Sequence, residues 1–578
     1  MKLLFRYLLK QKWTVMLALL LSVVNQGAAY LDPLITGKIV DQFIEHRETI
    51  SRSEFIGGVF LLVGLALIAV TVARLANNYQ DYFTNVVVQK TGAEMYSDGL
   101  RHSLSLPYFE FEDQSSGKTL GILQKVRKDT ENFIKLFVNV FFTALVGLVF
   151  VLVYSFSVSY KVTLIYFISV PLIIATSLWL TRKVKKMQED IMDKTSTLAG
   201  STTESLRNIE LVKSLGLADQ QVDHLNDNTY QIMDLELVKS RLIRKTGFIQ
   251  GTMVNVVRSA MMLVLLFLIY NKELSPGQFF TFLLYSLFLF NPLLEIGNVI
   301  QAWREAQVSL EQLEGITSKP LEKKPESPTE MEKINKLTYE NVGFEYNGSS
   351  KGSVKNISLE VASGETIAFV GPSGSGKSTL IKLLAGLYVP TEGKIMYNSI
   401  NLSELELDNL RRKIGMVTQE TQLFSGTIRD NLLFVNPGSD DEHCYEVLKQ
   451  ASCDSLLDRA SDKLETYIGE GGLKVSGGEK QRLSIARALL RQPEILIFDE
   501  ATSALDSITE EEITKTICHI SDTTDLITIL VAHRLSTIKH AKCIYVLENG
   551  GIIESGTHDE LLALKGLYYA MWRQQTNK

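Results

Sequence analysis

Cysteine is scarce in this sequence, and the cysteines that occur lack any metal-binding pattern. The 578 residues include only four, Cys444, Cys453, Cys518 and Cys543, all in the second half of the chain. Zinc sites need closely spaced ligand pairs, and disulfides persist mainly in oxidising compartments. We therefore expect reduced thiols in a cytosolic domain and assign them no chemistry.

The signs of a nucleic-acid-binding protein are also missing. The net charge is only -6, and there is no basic block and no interleaving of aromatic and basic residues. We therefore exclude nucleic acid as a partner. Long apolar runs are almost absent after about Gln301, although the whole chain is 46% hydrophobic with a mean hydropathy of +0.08. This distribution divides the chain into an apolar first half and a polar second half.

Six apolar stretches of the first half are long enough to cross a bilayer as helices, which takes about 20 residues each. A cleavable signal peptide is the alternative for the first stretch, but five further spans favour a membrane helix. Lysines and arginines flank the N-terminus and the fourth and fifth spans, which places those flanks and the C-terminal half in the cytoplasm. The six stretches are Trp13–Leu31, Phe55–Val72, Leu136–Phe156, Val162–Leu180, Phe248–Tyr270 and Phe279–Val299.

Two long cytoplasmic connections, about Arg74–Lys135 and Arg182–Thr246, separate these spans. Both are compatible with helix, and a helical hairpin with arms of about 28 residues would project about 40 Å. We therefore expect stalks, with extra soluble subdomains as the alternative.

A phosphate-binding loop follows the polar, proline-bearing segment Ser318–Lys336. The glycines of such a loop let backbone amides face phosphate oxygens, while Lys377 meets the β/γ-phosphate charge and Ser378 offers a hydroxyl to Mg²⁺. The motif stands between the strand "TIAFV" and a helical run, as the pattern G-x-x-x-x-G-K-[ST] requires. It consists of Gly371, Pro372, Ser373, Gly374, Ser375, Gly376, Lys377, Ser378 and Thr379. The sequence therefore predicts ATP and Mg²⁺ as ligands.

A second motif, "ILIFDE", places two adjacent carboxylates after an apolar strand. Neighbouring residues at a strand end face opposite ways, so Asp499 can serve the magnesium shell while Glu500 polarises the water that attacks the γ-phosphate. A pair of helix-capping acids is the structural alternative.

Three further motifs accompany these two: "VSGGEKQR" at Val475–Arg482, "SALD" at Ser503–Asp506 and "VAHR" at Val531–Arg534. With six spans fused ahead of them, the chain resembles a bacterial ATP-binding-cassette (ABC) exporter half-transporter of the lipid and multidrug type. The likeness covers essentially the whole chain; it is highly specific in the second half and architectural in the first.

The resemblance implies roles for the matching residues. Tyr346 would stack on adenine, Gln419 would contact Mg²⁺, and His533 would contact the γ-phosphate. Asp506 would take part in communication across a dimer. Ordinary packing of Tyr346 near a strand is the alternative.

The signature segment would contact ATP held by the opposite subunit. Its residues Ser476, Gly477, Gly478 and Glu479 open a helix, whose free amides favour phosphate, although Ser476 can also be merely an N-cap. Glu479 stands where the family usually has Gln, which adds a charge near phosphate and suggests altered ATP affinity. The segment "TYIGEGG" at Thr466–Gly472 resembles an exporter-specific motif and indicates export.

Two segments of the long connections, Tyr108–Lys118 and Glu204–Gly216, are similar to the short helices that dock on the ATPase in this family. Packing against their own stalks is the alternative.

Inside the spans, Arg258 lies near the bilayer centre and Glu295 nearer the cytoplasm, and ionisable groups there are candidates for function. Either the two pair with each other, or Arg258 attracts an anionic head group or peptide carboxylate.

The predicted fold is an all-α transmembrane domain of six long helices (1–317), a linker (318–336) and an α/β P-loop nucleotide-binding domain (337–578). The predicted function is ATP-driven export or flipping of an amphipathic lipid, drug-like compound or peptide, from a multi-pass position in a bacterial inner membrane. A homodimer is favoured because one chain carries every motif. A heterodimer with a related half-transporter, and an ATP-gated channel or regulatory subunit, are the alternatives.

Overall fold

The chain folds into two compact units. The computed structural model describes residues 1–576 apart from 113–115, 323, 326–328, 330, 347–348, 420, 470–471, 502–506 and 533. The first unit comprises Met1–Ser105 and Gln114–Lys319, and the second comprises Leu106–Asp113 and Pro320–Lys578. The short segment 106–113 therefore belongs to the second unit, although both of its neighbours along the chain belong to the first.

The first unit is helical. π-helical turns at Val40–Ile44 and Phe137–Phe142 continue two of its helices. The helices before residue 320 are α1 (Lys2–Lys10), α2 (Lys12–Ile39), α3 (Arg52–Leu104), α4 (Phe109–Glu112), α5 (Ser116–Leu136), α6 (Thr143–Val158), α7 (Tyr160–Arg207), α8 (Ile209–Ser214), α9 (Ala218–Tyr270), α10 (Pro276–Leu294) and α11 (Ile296–Thr317). Of these, α4 belongs to the second unit.

Six helical stretches of the described chain are long and apolar enough to cross a membrane, and each contains one predicted span, which confirms that prediction. Helices α3 and α9 have 53 residues each, or about 80 Å at 1.5 Å per residue, well beyond a hydrocarbon core of about 30 Å. Beyond the predicted spans, α3, α5, α7 and α9 supply helix in both long connections, as their sequences indicate. The six stretches are Lys12–Ile44, Arg52–Leu104, Thr119–Val158, Tyr160–Leu180, Ala218–Tyr270 and Pro276–Thr317.

Buried tyrosines join the spans internally. Tyr166 and Tyr285 are fully buried in an apolar cluster of α2, α6, α7, α9 and α10. The Tyr166 hydroxyl donates to the Phe282 carbonyl at 2.7 Å, and the Tyr285 hydroxyl donates to the Tyr30 carbonyl at 2.9 Å. Because lipid offers no acceptor, a buried hydroxyl in a span needs such an internal partner.

The second unit is of the α/β class. Its strands are β1 (Lys336–Tyr346), β2 (Ser349–Ala362), β3 (Thr366–Val370), β4 (Glu392–Tyr397), β5 (Ile400–Asn401), β6 (Ile414–Val417), β7 (Gly426–Thr427), β8 (Tyr467–Ile468), β9 (Ile495–Asp499), β10 (Ile527–Val531), β11 (Cys543–Glu548) and β12 (Gly551–Gly556). Its helices besides α4 are α12 (Lys377–Leu384), α13 (Leu407–Arg412), α14 (Ile428–Leu433), α15 (Asp441–Gln450), α16 (Asp454–Arg459), α17 (Gly477–Leu490), α18 (Ser507–Thr523), α19 (His558–Leu564) and α20 (Leu567–Thr576).

A six-stranded sheet of order β12-β11-β3-β10-β9-β6 forms the centre of this unit, and only β12 pairs antiparallel. Successive residues of β3, such as Ile367 and Ala368, pack into different apolar clusters, so the strand is buried on both faces. That burial explains the continuous apolar run "TIAFV". The carboxyl ends of β3, β10 and β9 lie side by side, at the edge where parallel sheets bind ligands.

The connection between the last span and the sheet is partly fixed. Helix α11 ends at Thr317 and β1 begins at Lys336. The Glu322 carboxylate accepts two hydrogen bonds from the Arg411 guanidinium, at 2.6 and 3.0 Å. This fork-to-fork pair is the strong form of an ion pair. The linker is therefore held on the second unit within a few residues of its start.

Candidate functional site

The predicted phosphate loop lies between β3 and α12, in the expected order of strand, loop and helix. Gly374 and Gly376 have φ angles of +80° and +103°, which residues with a side chain rarely adopt. A Cβ atom at Gly371 would lie 2.2 Å from the Leu547 carbonyl oxygen, so a side chain cannot fit there. The glycines thus allow the tight curvature that turns backbone amides toward an anion.

Lys377 lies at the start of α12 and closes on its own loop. Its ammonium donates to the carbonyl oxygens of Gly371 and Pro372 at 2.9 and 3.0 Å. Burial lowers the pKa of Lys377, and the nearby carboxylates of Glu500 and Asp499 partly oppose this effect. A triphosphate would offer the buried ammonium a stronger partner than two neutral carbonyls.

The loop also contains a polar atom without a partner. Ser375 is only 3% exposed, and its Oγ makes no hydrogen bond among the described residues. Buried hydroxyls are nearly always paired, so an orphan here fits a missing phosphate oxygen.

The two carboxylates of the second motif lie at one site. Asp499 is the last residue of β9, and Glu500 follows with φ +50°, while its backbone N–H donates to the Val531 carbonyl at 2.9 Å. A left-handed turn, and not strand alternation, therefore sets the direction of Glu500. Such backbone strain costs about 1–3 kcal/mol and is concentrated at functional sites. Among the described helices, the next one along the chain, α18, begins at Ser507, several residues beyond both acids.

Ligands suited to Mg²⁺ come from three elements of this unit. Ser378 lies in the first turn of α12, Gln419 is exposed just after β6, and Asp499 ends β9. All three offer oxygen atoms, the donors that Mg²⁺ prefers, usually with phosphates and water completing the shell. The described residues contain no group of three or more His, Cys, Asp or Glu placed to hold a metal. The donor set therefore fits an ion bound together with nucleotide. His533 and Asp506 lie outside the described residues.

Tyr346, the predicted adenine-stacking residue, ends β1 next to the phosphate loop. Its hydroxyl lies 3.2 Å from the Thr379 Oγ1. Its ring packs edge-on against Phe344 and Tyr388, with centroids 5.0 and 5.4 Å apart. Packing and adenine contact are compatible, because the ring is only half-buried.

Tyr388 and Lys382 connect this aromatic cluster to the first predicted docking segment. The rings of Tyr108 and Tyr388 meet edge-on at 5.8 Å. The Lys382 ammonium lies 5.4 Å from the Tyr108 ring and 5.6 Å from the Tyr388 ring. Sequence reasoning missed both residues; the available signal was "LIKLLAGLY", the helix and turn that directly follow the phosphate loop.

The second predicted docking segment is part of the first unit. Helix α8 has no buried residue, and Ile209 and Leu211 are exposed, as is Leu206 just before it. These three side chains therefore do not pack against the stalk helices, which was the alternative to docking.

The signature segment begins α17 with a reciprocal cap. The Ser476 hydroxyl accepts from the Glu479 N–H at 3.3 Å, and the Glu479 carboxylate accepts from the Ser476 N–H at 2.8 Å. Arg459 also donates to Glu479 at 2.8 Å. Ser476 and Gly477 are exposed, whereas Gly478 and Glu479 are buried. Ser476 is thus an N-cap, and the added charge of Glu479 is neutralised inside the protein.

In the nearby segment "TYIGEGG", Tyr467–Ile468 forms β8, and residues 470–471 lie outside the described chain.

Arg258 and Glu295 do not pair. Arg258 lies half-buried on α9, and its Nε is buried without a hydrogen-bond partner among the described residues. Glu295 is exposed at the break between α10 and α11.

A polar chain inside the membrane unit was missed by sequence reasoning. Asn25 on α2 donates to Asn77 on α3 at 3.1 Å. Gln80 donates to Asn139 at 3.0 Å, and Asn139 donates to Asp81 at 3.0 Å. The available signal was the presence of Asn and Gln residues within or just after an apolar run, because such side chains seldom face lipid.

Comparisons with known proteins identify the family of the chain. The ABC transporter transmembrane region model matches residues 15–293, and the ABC transporter model matches residues 354–503. The chain is 34% identical to the ABC transporter ATP-binding protein YwjA of Bacillus subtilis over 420 residues, which is 72% of each chain. It is 30% identical to the alpha-hemolysin translocation ATP-binding protein HlyB of Escherichia coli O157:H7, over 96% of this chain and 77% of that one. The structure matches that of a bacterial Atm1-family ABC exporter with ATP bound, with a TM-score of 0.84, 25% identity and coverage of 97% and 99%.

Both units are matched, in the same order and in one chain. The structure supplies six apolar helices, a phosphate loop with a buried lysine, and two carboxylates beside that lysine. The chain therefore belongs to the ABC transporter family, as a multi-pass membrane exporter whose cytoplasmic unit binds nucleotide and hydrolyses ATP to drive transport.

Proposed function

We propose that two copies of this chain form the working exporter, with each ATP held between the phosphate loop of one copy and Ser476–Gly478 of the other. The observation that carries the proposal is that one chain holds both halves of such a site. Its loop contains Lys377 and every glycine of the motif, and the N-terminus of α17 is capped and exposed at Ser476 and Gly477. Exposed amides at a helix N-terminus attract phosphate.

The chemistry at each site is divided among residues of the same copy. Lys377 neutralises phosphate charge, Glu500 orients the attacking water, and Tyr346 stacks on adenine. Ser378, Gln419 and Asp499 hold Mg²⁺, which supplies further charge neutralisation when bound. For His533 and Asp506, the roles implied by the sequence are retained: contact with the γ-phosphate and communication across the dimer.

The two docking segments transmit closure of the ATPase units to the spans. Tyr108 supports this role because it packs on Tyr388, one ring away from Tyr346. Helix α8 supports it because Ile209 and Leu211 are exposed and suit burial against a second copy. The corresponding domain limits are 1–317 for the transmembrane domain, 318–336 for the linker and 337–578 for the nucleotide-binding domain.

The transported substrate is an amphipathic molecule with an anionic group, such as a lipid, a peptide or a drug-like acid. Arg258 supports this class because its buried Nε lacks a partner among the described residues. A charged group inside a span is costly unless something pairs with it, and an anionic substrate provides that partner. Glu295, exposed at a helix break, is a second residue of the pathway.

Two inactive variants test the shared ATP site. Lys377→Ala and Gly477→Asp each disable one half of it, so neither variant alone hydrolyses ATP in lipid vesicles. When the two are co-expressed, each mixed dimer contains one intact site, and ATPase activity returns. Absence of recovery contradicts the homodimer and points to a different partner chain.

Arg258→Ala tests the substrate, with Arg258→Lys as the matched control that keeps the charge. In vesicles screened with labelled lipids, peptides and dyes, Arg258→Ala lowers substrate-stimulated ATPase and transport more than the rate without substrate, whereas Arg258→Lys retains most of both. An equal loss in both rates means a structural role for Arg258.

A further inference from the structure

A large apolar cavity lies at the start of the first unit, between α1 and the spans. Its volume of about 670 Å³ is within the range of about 300–1,000 Å³ typical of small-molecule sites. Helix α1 and the start of α2 form one wall, and α3, α5 and α11 complete it with Val87, Phe133 and Trp303. Neither Arg258 nor Glu295 lines it, so the cavity is separate from the proposed substrate pathway.

The charged residues of the cavity lining are cationic. Lys2 and Lys12 line the cavity, and none of its described lining residues is acidic. In the part of the chain that the structure describes, neither lysine forms an ion pair; the Lys12 ammonium lies 5.8 Å from the Trp13 ring. From Lys12 the cavity follows α2 as far as Leu19, about 10 Å along the helix. The apolar space therefore begins at a basic rim on the cytoplasmic side and extends into the depth of the bilayer.

One polar side chain of the cavity lining is buried without a partner in the described part of the chain. Thr84 is 2% exposed, and its Oγ1 makes no hydrogen bond within the described residues. Since buried polar groups are nearly always paired, the unpaired Thr84 hydroxyl indicates an occupant that brings a hydrogen-bond acceptor.

We propose that this cavity holds one anionic phospholipid of the cytoplasmic leaflet. An acyl chain lies among Leu4, Val87 and Phe133, the phosphate faces the lysines of the lining, and an ester oxygen accepts from the Thr84 hydroxyl. The anionic surface of the cytoplasmic leaflet and the basic, amphipathic character of α1 favour this occupant over a neutral lipid. The lipid is a bound component of the membrane unit and not the transported substrate.

Trp303, in the cavity wall, reports occupancy by fluorescence quenching. The chain has four tryptophans, so a variant with Trp13, Trp179 and Trp572 replaced by Phe isolates Trp303. The full chain is placed in vesicles that contain phosphatidylglycerol or phosphatidylcholine with brominated acyl chains. A variant that retains only Trp179, which is 66% exposed on α7, is the control for bulk lipid.

We expect brominated phosphatidylglycerol to quench Trp303 at about five-fold lower mole fraction than brominated phosphatidylcholine, the preference that one fully effective lysine gives. Trp179 should show no preference. Combined Lys2→Gln and Lys12→Gln should abolish the preference of Trp303, and Ala18→Leu, which fills the cavity, should weaken quenching by both lipids. The proposal is overturned if Trp303 follows the bulk lipid as Trp179 does. It is also overturned if Ala18→Leu leaves quenching unchanged, because the preference would then arise at the surface.

Discussion

The contact between Tyr108 and Tyr388 predicts how firmly residues 106–112, which include the start of the first predicted docking segment (Tyr108–Lys118), are held on the ATPase unit. Tyr108→Ala removes one edge-on ring pair and one cation–π contact with Lys382. Such contacts contribute about 0.5–1.5 and about 0.5–1 kcal/mol. Because the Tyr108 ring is 36% exposed, we expect a loss of about 1–2 kcal/mol, which raises local opening of the segment about 5- to 30-fold.

Hydrogen exchange of peptides from 106–112, measured on the full chain, gives this opening directly. Tyr445→Ala is the matched control, because Tyr445 is 37% exposed and makes no ring contact among the described residues. Tyr388→Ala should open the segment by a smaller factor, because the Tyr108 ring keeps its contact with Lys382. The double variant Tyr108→Ala/Tyr388→Ala should be little worse than Tyr108→Ala alone, since that variant already removes the ring pair.

Two outcomes would refute this reasoning. If Tyr108→Ala leaves exchange of the segment unchanged, other contacts hold it. If Tyr445→Ala raises exchange equally, the effect is general loosening of the unit. Where the predicted opening occurs, transport per ATP hydrolysed should fall while ATP hydrolysis continues, because closure of the ATPase unit then moves the spans less effectively.

Three further predictions concern the second unit. Burial lowers the pKa of Lys377, whereas bound phosphate favours its charged form. ATP affinity should therefore fall as the pH is raised through that lowered pKa. Calorimetry in buffers of different ionisation enthalpy should detect proton uptake when ATP binds. Glu479→Ala removes the partner of Arg459 and the carboxylate half of the reciprocal cap, while the Ser476 half remains. It should cost about 1–2 kcal/mol, or about 2–8 °C in the melting temperature of the unit, whereas Glu479→Gln keeps an acceptor for the Ser476 N–H and should cost less than half as much. Burial raises the pKa of the Cys453 thiol to about 12, so thiol reagents at neutral pH should label the half-exposed Cys543 first, as peptide mass spectrometry can show.

Local signals were sufficient to predict the spans and the phosphate loop. Apolar run length alone located six helices, because a bilayer makes backbone hydrogen bonding within each span obligatory. The loop was equally accessible, since strand, glycines and helix are contiguous from Thr366 to Leu384. In both cases the residues that determine the structure are close together in the sequence.

Long-range contacts were not accessible in this way. Nothing in the pattern around Tyr108 points to Tyr388, which lies 280 residues later, and only tertiary structure joins the two rings. The direction of Glu500 was also wrongly argued from strand alternation, because β9 ends one residue earlier and a left-handed turn follows. Such strained turns depend on the surrounding fold and not on local preference.

Glu479 shows why a departure from a family motif cannot be interpreted alone. In sequence, a carboxylate in place of Gln adds a charge near phosphate and suggests altered ATP affinity. In the structure, Arg459 and the Ser476 N–H both donate to that carboxylate, and its side chain is only 7% exposed. The charge is therefore compensated within the protein, and its field at the exposed end of α17 is reduced. It follows that Glu479→Gln should change ATP affinity little. Arg459→Ala should weaken ATP binding more than Glu479→Gln does, because it leaves a buried carboxylate uncompensated beside the signature segment.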